Sequence, residues 1–145
     1  MTEVAFHFNA PDKLAYACRF ARKALRREMR VVITGAPGEL QALDRMMWAV
    51  GSTDFVAHAL ADADPDIVRA SPVLLAGDPL SVSPRDVLLN LGAQVPGGFE
   101  QFAKVVEVVS ASDEADRQSA RVRWRQYAAQ GYDIVRHDLV LKENA

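Results

Sequence analysis

Apolar residues recur with two different periods along this 145-residue chain, and the exchange between them predicts its elements. Residues 4–9 (VAFHFN) read as a strand. Pro11 then opens a helix of about eighteen residues, with Leu14, Ala17, Cys18, Ala21 and Leu25 at helical spacing. The other face of that helix carries Lys13, Arg19, Arg22, Lys23, Arg26 and Arg30. Residues 30–34 (RVVIT) form a near-continuous β-branched run, the mark of a strand covered on both faces. A turn at 35–38 (GAPG) leads to a second helix over 39–50, with Leu40, Leu43, Met47 and Val50 on one side. The stretch 51–72 reads as loop, with Asp62, Asp64, Pro65 and Asp66 as breakers. Further buried strands are predicted at 72–76, 87–91 and 105–109, with a short helical turn at 99–102. A long helix over 113–130 follows, and 132–139 reads as an edge strand.

Strand and helix alternate, and the strands are apolar throughout. That order predicts a single α/β domain over 1–145, with a largely parallel central sheet and helices on both faces. The architecture is similar to a mononucleotide-binding fold, which by itself assigns no activity. The composition is ordinary for a globular chain, with 50% hydrophobic and 25% charged residues. A formal net charge of −2 provides no global field toward nucleic acid, so any anion must be bound by a local patch. The first residues run straight into an apolar alternation, and no apolar run approaches the ~20 residues of a membrane span. A cytoplasmic protein with no membrane contact is therefore expected.

The chemistry of catalysis is not legible. Cys18 is the only cysteine, which excludes an internal disulfide and a cysteine-based zinc site. On the apolar helix face it reads as a small hydrophobe. His7, His58 and His137 are far apart and lack paired ligand spacing, so no metal is expected. The strand–turn–helix around Gly35 is where a phosphate could be held. There Gly35 is followed by Ala-Pro-Gly-Glu, without the Walker lysine or a GxGxxG pattern, and Glu39 would repel a phosphate. No cofactor and no enzymatic activity are expected.

The most informative segment is 113–130. At about 100° per residue, Arg117, Arg121, Trp124 and Arg125 fall within one arc, so three guanidiniums and an indole share a face. Ala120 and Tyr127 extend the apolar edge of Trp124. Such a strip suits an acidic segment with an apolar anchor, because arginine clamps carboxylates and tryptophan offers a stacking surface. The helix lacks a clean apolar stripe. Ala115, Val122 and Ala129 mark one side, and Ala120 and Tyr127 another, so the pattern leaves its buried face open.

Beside this reading stands a resemblance that covers most of the chain. It runs through Phe8-Asn9, Lys13-Leu14, Ala17-Cys18-Arg19, Arg30 to Ile33, Leu43-Asp44, Trp48, and Phe55-Val56 with His58. It continues through Pro72-Val73, Leu88 to Asn90, Pro96, Phe99, Phe102, Val106 to Val109, Ala120-Arg121, Arg123, Tyr127 and Gly131-Tyr132. In order and spacing these residues resemble the chi subunit family of bacterial DNA polymerase III, a clamp-loader accessory protein. Ala57 stands where the family signature usually has proline. The resemblance implies a non-catalytic role in DNA replication. A basic pocket on the last helix would bind the acidic C-terminal tail of single-stranded DNA-binding protein, which ends in Pro-Phe. The positions that match the pocket are Arg117, Arg121, Trp124 and Arg125, with Tyr127 as a further lining residue. Trp124 stands where tyrosine is common, and Arg117 and Arg125 stand where lysine can occur.

The same resemblance implies that the second helix and the loop after it hold a psi-type subunit, with Trp48 and Phe55 as the matching aromatics. Both residues read equally well as plain core. Two rival readings remain. One is a nucleotide-binding enzyme using 35–38. The other is a nucleic-acid-binding module using the basic faces of the first or last helix, against the expectation of no direct nucleic-acid contact.

Overall fold

The computed structural model describes residues 1–49 and 57–140. Its centre is a sheet of seven parallel strands: β1 (Glu3–Ala10), β2 (Val31–Thr34), β3 (His58–Leu60), β4 (Val73–Leu75), β5 (Val87–Asn90), β6 (Lys104–Ser110) and β7 (Ile134–Asp138). Their order across the sheet is β3-β4-β2-β5-β6-β1-β7, so β7 is an edge strand, as the sequence predicts. Helices α1 (Lys13–Arg26), α2 (Pro37–Ala49), α3 (Pro65–Ala70) and α4 (Glu114–Ala129) connect the strands. Short 3-10 turns lie at Pro79–Ser81 and Phe99–Gln101.

The period of two in the strands divides the core. Val31, Ile33, Leu89, Val106 and Val108 face one side, where Ala17, Cys18 and Ala21 of α1 and Leu40, Leu43 and Met47 of α2 pack. Val4, Phe6, Val32, Leu88, Val105 and Val109 face the other side, where Ala120 and Tyr127 of α4 lie with Phe99 and Phe102. Both faces of the sheet are therefore covered, which explains why the first three residues of β2 and of β5 are apolar in succession rather than alternating.

Three predicted boundaries move. The first helix is shorter than predicted, because Asp12 caps its start by accepting from the Ala15 N–H. It ends without glycine: Glu28 adopts φ 57, and the N–H groups of Glu28 and Met29 return to the Leu25 and Ala24 carbonyls. The second helix begins at Pro37, inside the predicted turn, where proline suits the first helical position. The predicted loop 51–72 contains β3 and α3 in its described part. Asp64 and Pro65, read as breakers, are the cap and first residue of α3.

Candidate ligand pocket between the last helix and the sheet edge

Helix α4 is fixed at three places, and together they decide which of its faces is free. At its start Asp113 accepts from the Asp116 N–H, and the acidic Glu114 and Asp116 lie in its first turn, where the helix dipole favours negative charge. Asp116 also takes the Lys13 ammonium at 2.8 Å and the Ser110 N–H at 2.8 Å, tying α4 to α1 and to the end of β6. At its far end Gly131, at φ 89, closes the helix: its own N–H returns to Ala128 and the Tyr132 N–H to Tyr127.

In the middle lies a buried polar cluster. Glu107 points from β6 toward the helix and is wholly buried. It accepts from Arg123 Nε at 2.9 Å, from the Tyr127 hydroxyl at 2.8 Å and from Asn90 Nδ2 at 3.0 Å. Arg123 also donates to Ser119 Oγ and to the Ala93 carbonyl. Among the described residues its Nη2 has no hydrogen-bond partner. Burial pushes the Glu107 pKa above the ordinary carboxylate range; the Arg123 charge and the bonds from Asn90 and Tyr127 pull it back. Burial and the adjacent Glu107 carboxylate push the Tyr127 phenol far above its usual value.

The buried stripe of α4 is thus Ala120, Arg123 and Tyr127, while Val122 is exposed. Between the two stripes the sequence left open, the side marked by Ala120 and Tyr127 faces inward. The cluster itself escaped the sequence reading. Its signal is Glu107 within the run VVEVV, where a charge in a strand buried on both faces requires a partner.

Beside that stripe, α4 and the β1–β7 edge enclose a pocket of about 560 Å³. Arg117, Arg121, Trp124 and Arg125 all line it, so the four residues predicted from helical spacing do converge. The strands supply a floor the sequence did not reveal: Phe6, Phe8 and Asn9 of β1, Val109 and Ser110 of β6, and Arg136 of β7. Trp124 is half-buried, its ring 5.1 Å from that of Phe6. Arg136 rests its guanidinium 5.4 Å from the Phe8 ring centre and 5.8 Å from that of Trp124. Arg117 donates to the Ala111 carbonyl at 3.1 Å, and Arg121 faces Glu114 at 3.5 Å in the open. The pairing of β1 with β6 shifts register between His7 and Ala10, and Asn9 adopts φ 65 there and donates to Asp138 at 3.0 Å. This irregularity lies at the pocket.

Tyr127 departs from its expected place. It is fully buried and hydrogen-bonded to Glu107, beneath the pocket rather than on its wall. Residues 120, 123 and 127 form one inward stripe at spacings of three and four, which carries Tyr127 away from the solvent side.

Trp48 is 61% exposed near the β3 edge, with its ring 5.2 Å from that of His58, so it is not core. His58 in turn meets Asp44 at 2.9 Å. Phe55 lies outside the described residues.

The two rival sites can be compared with this pocket. At the carboxyl ends of β2 and β5 lies a crevice of about 500 Å³ that includes Gly35 and Glu39. Glu39 turns back to accept the Ala36 N–H at 2.9 Å, so a carboxylate holds the place of an incoming phosphate. On the face opposite α4, Arg19, Lys23, Arg27 and Lys104 surround a third cavity of about 510 Å³, near the starts of β5 and β6. Its wall includes His7 and Tyr16, which share a hydrogen bond, and burial pushes Tyr16 up to about 12. Cys18 is buried, and burial raises its thiol pKa. Among the described residues no three histidine, cysteine or acidic side chains group as a metal would need, and no helix is long and apolar enough to cross a membrane.

Residues 1–135 match the family model described as DNA polymerase III chi subunit, HolC. The chain is similar to DNA polymerase III subunit chi of Pseudomonas aeruginosa, 35% identical over 145 residues that cover 96% of this chain and 98% of that one. It is likewise similar to DNA polymerase III subunit chi of Escherichia coli K12, 32% identical over 120 residues, covering 81% and 79%. Its identity to the Haemophilus influenzae subunit is 28% over 120 residues, covering 81% of each.

Proposed function

The chain belongs to the DNA polymerase III chi subunit family, and from that premise we propose that it is a non-catalytic tether of the replisome. It holds the clamp loader to the acidic C-terminal tail of single-stranded DNA-binding protein. One observation carries this reading: Arg117, Arg121, Trp124 and Arg125 line a single pocket whose floor is aromatic. Carboxylates of the tail meet the guanidiniums, and its terminal phenylalanine enters beside Trp124. Phe6 and Phe8 offer it ring surfaces. A contact this small is expected to bind with Kd on the order of micromolar, or about −8 kcal/mol. Joining several such contacts in one assembly raises the effective affinity. The test is fluorescence anisotropy of a labelled acidic peptide ending in Pro-Phe. Saturable binding by the wild type that Arg121→Glu abolishes supports the tether. A wild type that shows no saturation at high concentration sinks it.

A second contact, with a psi-type subunit, is favoured by the exposure of Trp48 beside the β3 edge. An aromatic ring left in solvent at a sheet edge suits an interface better than a core. Trp48→Ala is expected to weaken copurification of a coexpressed psi-type subunit and to leave tail binding unchanged. Unimpaired copurification would remove Trp48 from the interface.

A further inference from the structure

We infer that Arg136, on strand β7, is the residue of the pocket that receives the ligand's terminal carboxylate. This rests on the tail-binding reading and deepens it. In a peptide ending in phenylalanine, the α-carboxylate and the aromatic ring leave the same carbon, so their receptors must be adjacent. The ring requires the apolar floor. The carboxylate therefore requires a cation directly over that floor, rather than one on the outer turns of the helix.

Of the four arginines that line the pocket, Arg136 meets this requirement. Its guanidinium is 5.4 Å from the Phe8 ring centre and 5.8 Å from that of Trp124. Contact with two aromatic rings restrains the side chain, so less entropy remains to be lost when a carboxylate docks. It has no ion pair among the described residues. The helix arginines are placed otherwise: Arg117 donates to Ala111, Arg121 turns toward Glu114, and among the described residues none of the three lies over an aromatic ring of the floor. They suit the upstream acidic residues of the ligand. Register explains why β7 contributes: Arg136 is paired with Phe6, which places both on the α4 side of the sheet.

The experiment is a double-mutant cycle by anisotropy, using an acidic peptide ending in Pro-Phe with a free or an amidated C-terminus. The protein is wild type or Arg136→Gln, an exposed position at which the fold is expected to persist. Amidation is expected to weaken binding to the wild type about tenfold, the loss of one charged hydrogen-bonded contact. Arg136→Gln should cost a similar factor with the free peptide, and amidation should then cost under twofold. If Arg136→Gln binds the free peptide as the wild type does, the assignment is overturned. It is also overturned if the variant is weakened yet amidation still costs its full factor, since Arg136 would then act only on the floor or on upstream acids. A wild type that binds neither peptide defeats the tail reading itself, an outcome distinct from the other two.

Discussion

Arg123 of α4 donates its Nε to Glu107 of β6 at 2.9 Å, with the two side chains 1% and 0% exposed. This ion pair is the register mark between the last helix and the sheet: it fixes the rotation of α4 about its axis. With Arg123 turned inward, Arg121 and Arg125 on either side of it are turned outward, and Trp124 lies at the boundary. The pocket is a consequence of that rotation.

Removing one partner should therefore be severe. Glu107→Ala leaves the Arg123 charge buried without its carboxylate and the Tyr127 hydroxyl without its acceptor. The expected loss is about 3–5 kcal/mol, measured by urea denaturation. Replacing both, as Glu107→Leu with Arg123→Met, should cost far less, because Arg123 Nη2 already lacks a hydrogen-bond partner among the described residues. If the double replacement is as damaging as the single one, the cluster contributes more than paired charge.

Alkaline pH should unfold the protein before its arginines titrate. Burial pushes Tyr16 from its ordinary 10.0 up to about 12, and burial with the Glu107 carboxylate pushes Tyr127 further. The folded state holds these protons more tightly than the unfolded chain, so stability is intact below pH 10. It falls as pH rises from 10 toward 12, because the unfolded chain then releases protons the folded one keeps. Absorbance at 295 nm should show Tyr16 and Tyr127 still protonated near pH 10, with Tyr127 titrating only as the fold is lost. Ionisation of Tyr127 at pH 10 in folded protein would contradict its burial.

Two helix ends give opposite substitutions at one kind of position. Glu28 and Gly131 both occupy the left-handed residue after a helix, at φ 57 and φ 89. Glycine avoids the strain of that conformation, so Glu28→Gly should stabilise by about 0.5–1 kcal/mol and Gly131→Ala should destabilise by about 1 kcal/mol. In a chain of this size about 1 kcal/mol corresponds to roughly 2–4 °C in Tm. No neighbouring atom opposes an added Cβ at Gly131, since nothing lies within 4 Å of it, which leaves backbone strain as the cause.

The fold was largely legible because its central strands β2, β4 and β5 carry continuous apolar runs, which a sheet covered on both faces demands. What escaped was local. Strand β3 has three residues, too few to display a period, and α3 begins with Asp64 and Pro65, a pair that also signals a turn. Of the site, helical spacing located the four α4 residues, since neighbours on a helix face are fixed by geometry alone. The floor could not be found that way. Phe6, Phe8 and Arg136 reach the pocket through the parallel pairing of β1 with β7, which joins segments about 130 residues apart. Tyr127 was misplaced because the inward stripe of α4 is marked by a charged residue, Arg123, that an apolar template does not register.

The two basic regions allow a final separation of local contact from net charge. Arg117 and Arg121 lie on α4 near the ends of β1 and β6, whereas Lys23 of α1 and Arg27, which follows its last residue, lie on the opposite face near the strand starts. Reversing either pair to glutamate changes the formal charge by the same amount, four units, from −2 to −6. At physiological salt the Debye length is about 8 Å, so a general field counts for little. Lys23→Glu with Arg27→Glu should shift the Kd for the acidic peptide by less than about twofold. Arg117→Glu with Arg121→Glu should abolish saturation. Equal losses from both pairs would mean that the peptide senses the charge of the whole protein rather than the α4 pocket. A greater loss from the α1 pair would move the binding site to the other face of the sheet.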